Sequence, residues 1–173
     1  MEFRKALIID QRDGSHYGSI QIGHQILLDS NLKLKMNHEQ CWAYDNEINN
    51  VAKHGYLYTW DAACKISEGM PGWHLPTKEE WETLIDYLGK ETEKVYHQIL
   101  NGSGKEFQVC FGGFRDTDDE VFFGQGSDAA HWSATACDED TAWFFDVNSV
   151  SKTAELGAED IRSGYSIRLF RNQ

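Results

Sequence analysis

The chain predicts an α+β domain, and three observations carry that prediction. Helical periodicity is confined to the middle of the sequence. The first thirty residues and everything after Gly102 read instead as short strands between Gly-, Asn- and Asp-rich turns. Helices that precede a run of antiparallel strands, rather than interleave with strands, argue against a doubly wound α/β fold.

At the start, Ser19-Ile20-Gln21-Ile22 alternates polar and apolar. A Gly23-His24 turn follows, and Gln25-Ile26-Leu27-Leu28 continues as its hairpin partner. The polar, Asn-rich segment from Asn37 to His54 reads as loop. Trp60, Ala63 and Cys64 share a helical face, so a first helix is expected there, ending near Gly69-Met70-Pro71-Gly72. The second helix has the clearest signals. Thr77 is a good N-cap, Glu80 its capping-box partner, Pro76 a rigid approach and Gly89 a stop. Between them Trp81, Leu84, Ile85 and Leu88 recur at i, i+3, i+4 and i+7. A third, shorter helix is expected over Glu91 to Leu100. Strands are then expected at Phe107–Phe111, Val121–Phe123, His131–Ser133, Ala142–Val147 and Tyr165–Phe170, and Gly112-Gly113 reads as a tight strand start where a side chain would clash. No repeat or linker divides the chain, so residues 1–173 read as one domain.

Composition narrows the function. The 40% hydrophobic and 13% aromatic content is that of a folded protein. A net charge of −12 repels phosphate backbones and anionic lipid surfaces, so no nucleic-acid partner is expected. No apolar run approaches the roughly 20 residues that span a bilayer, so no membrane insertion is expected. The first ten residues have too short an apolar core for a secretory signal, which places the chain, as written, in the cytoplasm. Cys41, Cys64, Cys110 and Cys137 contain no Cys-x-x-Cys pair, which excludes a zinc ribbon and a thioredoxin motif. Four buried thiols are expected, with two disulfides in any of three connectivities as the alternative. The seven histidines form no His-x-x-x-His pair, and His74 reads as hydrogen-bonded packing rather than a metal ligand. No Gly-x-Ser-x-Gly elbow and no phosphate-binding glycine loop occurs.

Several blocks, taken in order, carry a family resemblance. They are Asp13-Gly14-Ser15-His16-Tyr17, Ile20-Gln21-Ile22-Gly23 and Asp29-Ser30-Asn31-Leu32, then Leu57-Tyr58-Thr59-Trp60-Asp61-Ala62-Ala63 and Gly72-Trp73-His74-Leu75-Pro76. Gly112-Gly113-Phe114-Arg115, Trp132-Ser133-Ala134-Thr135, Ala142-Trp143 and Gly164-Tyr165-Ser166-Ile167-Arg168 follow. Together, from Asp13 to Phe170, they resemble the Fibrobacter succinogenes major paralogous domain. The resemblance implies a C-type-lectin-like fold, with two main helices packed on a twisted antiparallel sheet under a loop-rich upper region. It also relates the chain to formylglycine-generating enzymes, and it implies a secreted or cell-surface protein if a leader has been removed. It brings no activity that can be assigned residue by residue.

Three constellations bear on function. A formylglycine-generating chemistry needs a close pair of redox cysteines near the end of the chain, where only Cys110 and Cys137 are candidates, and Cys137 runs into Asp138-Glu139-Asp140 rather than the cationic surroundings a thiolate wants. The acidic loops suit calcium, which takes six to eight oxygens. Asp116, Asp118, Asp119 and Glu120 are the candidate ligands, although the Glu-Pro-Asn, Gln-Pro-Asp and Trp-Asn-Asp triplets of sugar-binding lectins are missing. Among the aromatics, Trp60, Trp81, Trp132 and Trp143 read as core, whereas Trp42 and Tyr44 lie in a polar loop and read as ligand contacts.

The expectation is a non-enzymatic recognition module that binds a protein or glycan through the loops between Gly112 and Asp140. Trp42, Tyr44, Asp116, Asp118, Asp138 and Asp140 are the candidate contacts. No cofactor is required, and calcium is the one ion the loops suit. The alternatives are an enzyme related to the formylglycine-generating oxidases and a structural component of a bacterial surface.

Overall fold

In the computed structural model the described residues are 7–36, 39–117 and 121–171. The candidate calcium ligands Asp118, Asp119 and Glu120 lie outside them.

The chain opens with a short ribbon, β1 (Ile8–Ile9) with β2 (His16–Tyr17), and the hairpin β3 (Ser19–Ile22) with β4 (Gln25–Leu28). The hairpin turns at Gly23-His24 as expected, with Ile22 opposite Gln25. The Asn-rich segment is more ordered than its composition implies. It holds strand β5 (Cys41–Trp42), 3-10 turns at Tyr44–Asn46 and Ile48–Asn50, and helix α1 (Val51–His54). Strand β6 (Leu57–Tyr58) then pairs back onto β5, with Trp42 opposite Leu57.

Helix α2 (Trp60–Glu68) begins where Thr59 accepts a hydrogen bond from the Ala62 backbone N–H. After β7 (Trp73–His74), helix α3 (Lys78–Leu88) has both halves of the capping box. Thr77 Oγ1 accepts from Glu80 N–H at 3.2 Å, and Glu80 Oε2 accepts from Thr77 N–H at 2.8 Å. His74 Nε2 lies 2.8 Å from both Glu80 oxygens, so this histidine serves the cap. Gly89, in the left-handed region, closes the helix, and α4 (Thr92–Asn101) follows.

The second half is antiparallel. Strands β8 (Gly112–Arg115) and β9 (Phe122–Gln125) form a ribbon. Strands β10 (Asp128–Ala136), β11 (Thr141–Asn148) and β12 (Thr153–Asp160) form the largest sheet. The last strand, β13 (Phe170–Arg171), enters a four-stranded sheet of order β3-β4-β13-β7, so the first hairpin and the chain's end share one sheet. Helices and antiparallel strands in these numbers make the domain α+β.

Two expected strands differ. Phe107–Phe111 begins as a 3-10 turn (Lys105–Phe107), and Gln108 then takes a left-handed φ of 51°, which breaks any ladder. Tyr165–Phe170 is extended and wholly buried, but its backbone bonds go to different elements in succession. Tyr165 pairs with Tyr58, Ser166 with Ala130 and Trp132, Ile167 with Leu32, and Leu169 with Leu28. It is a central thread whose backbone bonds pass from one segment to the next without a regular partner.

The β10–β12 sheet separates two apolar clusters because successive side chains point to opposite faces. Trp132 and Phe144 face the cluster of α2, Tyr58 and Tyr165. Phe145 and Val147 face the other, where Trp81 stacks on Phe145 at 4.8 Å and meets Phe170 edge-on at 4.9 Å. Trp81 and Trp132 are fully buried as expected. Trp60 and Trp143 are only half-buried: Trp60 Nε1 donates to the Ser133 carbonyl, and Lys78 Nζ sits 4.3 Å over the Trp143 ring. No helix among the described residues is long and apolar enough to cross a membrane.

Candidate functional site

The expected contacts part company in the structure. Tyr44 is 7% exposed, and its ring packs on Phe122 at 5.3 Å. The reason is Gly113, whose φ of +72° and missing Cβ leave room for it. A Cβ there would stand 2.3 Å from the Phe123 carbonyl and 2.6 Å from the Tyr44 ring, which is the clash expected of this glycine pair. Tyr44 is a supporting residue, and its place in a polar loop concealed that.

Trp42 is half-buried and its ring is held from several sides. The Arg115 guanidinium lies 4.1 Å over the ring, an arrangement worth about 0.5–2 kcal/mol depending on solvation. Arg115 is anchored by reciprocal backbone bonds with Gly164 at 2.9 and 2.8 Å. A Cβ at Gly164 would press on both Arg115 Cβ and the Trp42 ring, so glycine is what lets the three approach.

Trp42 lines two concave surfaces. One groove, of about 400 Å³, is lined by Trp42, Gln40, Asp61, Arg115, Thr117 and Arg162, with Glu39, Thr59 and Ile161 at its borders. The other, of about 320 Å³, is lined by Trp42, Lys35, Asn46, Ile48 and Tyr56 with Cys41 and Ala43.

The acidic residues are distributed around rather than within this surface. Asp116 is half-buried next to Thr117, and its N–H donates to the Val121 carbonyl. Asp138 and Asp140 are exposed in the turn between β10 and β11, and the Asp140 carbonyl accepts from Ile161 N–H at the groove's border. Asp138 Oδ1 already accepts from the N–H groups of Asp140 (2.9 Å) and Thr141 (2.8 Å), and these bonds pull its pKa down. Its carboxylate therefore caps its own turn. Among the described residues no group of three or more His, Cys, Asp or Glu side chains is placed to hold a metal ion. Much of the stretch from Gly112 to Asp140 expected as binding loops is occupied by β8, β9 and β10.

All four cysteines are free thiols, but they are not all buried. Cys41 is buried and Cys64 half-buried, and burial pushes both thiols up to about 11. Cys137 is exposed in the acidic turn, where its N–H bonds Thr141 O. Cys110, half-buried, lines a cleft of about 760 Å³ together with Asn31, Asn50, His54, Gln125 and Arg168. The blocks Asp29–Leu32 and Gly164–Arg168 supply part of its lining, but no spacing in the sequence joins them to residues near 50, 110 and 125.

One further carboxylate is perturbed. Asp146 on β11 is raised to about 7 by burial and by Asp128 and Glu155. Glu155 is its cross-strand partner on β12.

The sequence model of the family described as the Fibrobacter succinogenes major domain matches residues 11–171. No curated protein matches the chain, and no solved structure does.

Proposed function

The chain belongs to the Fibrobacter succinogenes major domain family, and from that premise we propose that it is a non-enzymatic recognition module that takes its ligand across Trp42. One observation carries the reading: a half-buried tryptophan forms the common wall of two adjoining grooves. Concave sites with one aromatic wall and a few convergent polar groups are the usual form of a binding site, and a rigid tryptophan adds large contact area at little entropic cost. Consecutive units of a chain-like ligand would fill the two grooves in turn.

Between protein and glycan, we favour protein. Glu39, Asp61, Arg115 and Arg162 border one groove and Lys35 the other, a lining suited to charged side chains rather than neutral hydroxyls. The acidic net charge further suits a basic partner. We also read the architecture as C-type-lectin-like. The shared sheet of the first hairpin and last strand, with a second antiparallel sheet beyond it, supports that finer assignment. Helix α4 is the third helix expected over Glu91 to Leu100, although at 10 residues it is no shorter than α2 with 9.

The test is a pair of arrays, peptide and glycan, probed with tagged protein in calcium and again in chelator. The reading predicts retention on peptides that Trp42→Ala abolishes. Chelator-sensitive retention on glycans would move the ligand class to sugars and revive the acidic loops as a calcium site. Binding that survives Trp42→Ala would overturn the site.

A further inference from the structure

Cys110 does not stand alone in the wall of the large cleft. Its Sγ lies 3.0 Å from Nδ1 of His54 and 3.3 Å from the Lys53 carbonyl, so its single S–H proton can turn to either acceptor. Both partners are held by backbone. The Cys110 carbonyl accepts from Gly112 N–H at 2.8 Å, a tight turn that fixes where the side chain leaves the chain. The His54 carbonyl accepts from Asn31 Nδ2 at 3.0 Å, and α1 ends directly on this residue.

The surroundings of this pair are cationic. Arg168 is fully buried at the base of the same cleft, bonded to Asn31 Oδ1 and to the carbonyls of Leu28 and Phe107. Among the described residues no carboxylate forms an ion pair with it. Lys53 is exposed at the rim, and Lys33 acts on the thiol from further away. Asp29 is the one acid lining the cleft, and its Oδ1 already accepts from Gly18 N–H at 2.9 Å. The hydrogen-bond partners of Arg168 are all neutral, and although the Asp29 charge acts on it, Arg168, Lys53 and Lys33 outnumber that one acid, so the field at the thiol is positive.

We propose that Cys110 is a thiol–disulfide exchange site, with His54 as its proton acceptor, for a small anionic disulfide that enters this cleft. In the step, the Sγ–H proton passes to His54 Nδ1, and the sulfur's electron pair attacks one sulfur of the disulfide R–S–S–R. The S–S bond breaks and its electron pair leaves with R–S⁻, which takes the proton back from the imidazolium. The products are the mixed disulfide Cys110–S–S–R and R–SH. The entering disulfide is the oxidant and the Cys110 thiol is what it oxidises, so the exchange balances without a further reagent. Excess thiol reverses it.

The protonation states suit this order of events. Burial, with Lys53 beside it, lowers the His54 pKa, so the imidazole is neutral and able to accept at neutral pH. Burial raises the Cys110 pKa, while Arg168, Lys53 and Lys33 pull it back. The resting pair is thus thiol and imidazole, and proton transfer accompanies attack. Cys137 offers the opposite field within the same molecule, since it is exposed beside Asp138, Glu139 and Asp140.

The experiment uses the full chain and two probes, dianionic 5,5′-dithiobis(2-nitrobenzoate) and dicationic cystamine. Rates are measured for Cys137→Ser, which keeps Cys110, and for Cys110→Ser, which keeps Cys137, with adducts located by peptide mass spectrometry. The ratio of anionic to cationic rate at Cys110 should exceed that at Cys137 by ~10-fold or more at low salt, and the gap should collapse near 1 M salt. His54→Gln should slow the Cys110 reaction ~10-fold near neutral pH and leave Cys137 unchanged, with circular dichroism confirming the fold. Lys53→Gln should reduce the charge preference at Cys110 alone. The proposal is overturned if folded protein leaves Cys110 unlabelled by both probes, if the two cysteines share one charge preference, or if His54→Gln does not slow the reaction.

Discussion

The surface around Trp42 and the cleft around Cys110 are both concave, yet they are made in different ways. Trp42 and its neighbours come from a short paired ribbon, β5 with β6, and from Arg115 pinned to the final thread at Gly164. That surface presents an aromatic ring with charges of both signs at its borders. The Cys110 cleft is walled by turns and helix ends, presents amides and a thiol, and rests on a buried arginine. The first arrangement can hold a ligand by contact area and charge complementarity. The second can change the covalent state of a sulfur. In the two proposals, recognition and thiol reactivity draw on distinct segments of the chain.

Breaking the comparison should have its largest effect at Gly113. Replacing it with alanine forces a Cβ against the Phe123 carbonyl at positive φ, beside the Tyr44 ring that supports the Trp42 side. A loss of about 2–4 kcal/mol is expected in denaturant unfolding. Next comes Trp42→Ala. It should cost about 2 kcal/mol or more in ligand affinity, as the loss of an aromatic anchor covered on binding does, while the Cys110 exchange rate stays the same.

Asp146→Asn sharpens the comparison by perturbing neither surface. The folded-state pKa of Asp146 is raised to about 7, so the native chain binds its proton more tightly than the unfolded chain does. Its ionisation therefore removes stability as pH rises through that range. The asparagine variant should be more stable than the parent by about 1–3 kcal/mol near pH 8, and the difference should vanish near pH 4. Thr77→Ala is the smallest effect. Loss of the cap should cost about 1 kcal/mol in thermal unfolding and move neither ligand affinity nor thiol exchange.

Much of the fold was legible because its signals are local. The Thr77–Glu80 box, the Gly89 stop and the Gly23-His24 turn each depend on a few consecutive residues. Where partners are remote, sequence patterns misled. Tyr165–Phe170 alternates like a strand, but its backbone bonds are shared among four separate segments. Tyr44 and Trp42 sit two residues apart in one polar loop, and only long-range packing against Phe122 and Gly113 sends Tyr44 inward. The contact of His54 with Cys110 joins residues 56 positions apart, and no spacing rule anticipates it. Asp138, expected as a ligand contact, has a carboxylate engaged by its own turn.

The most direct test of this division is calorimetric titration of an array-selected peptide against the parent chain, Trp42→Ala and Cys110→Ser. The account predicts at least ~10-fold weaker binding for Trp42→Ala and, for Cys110→Ser, affinity within about twofold of the parent. Binding that persists in Trp42→Ala but fails in Cys110→Ser would place recognition in the cleft and contradict it.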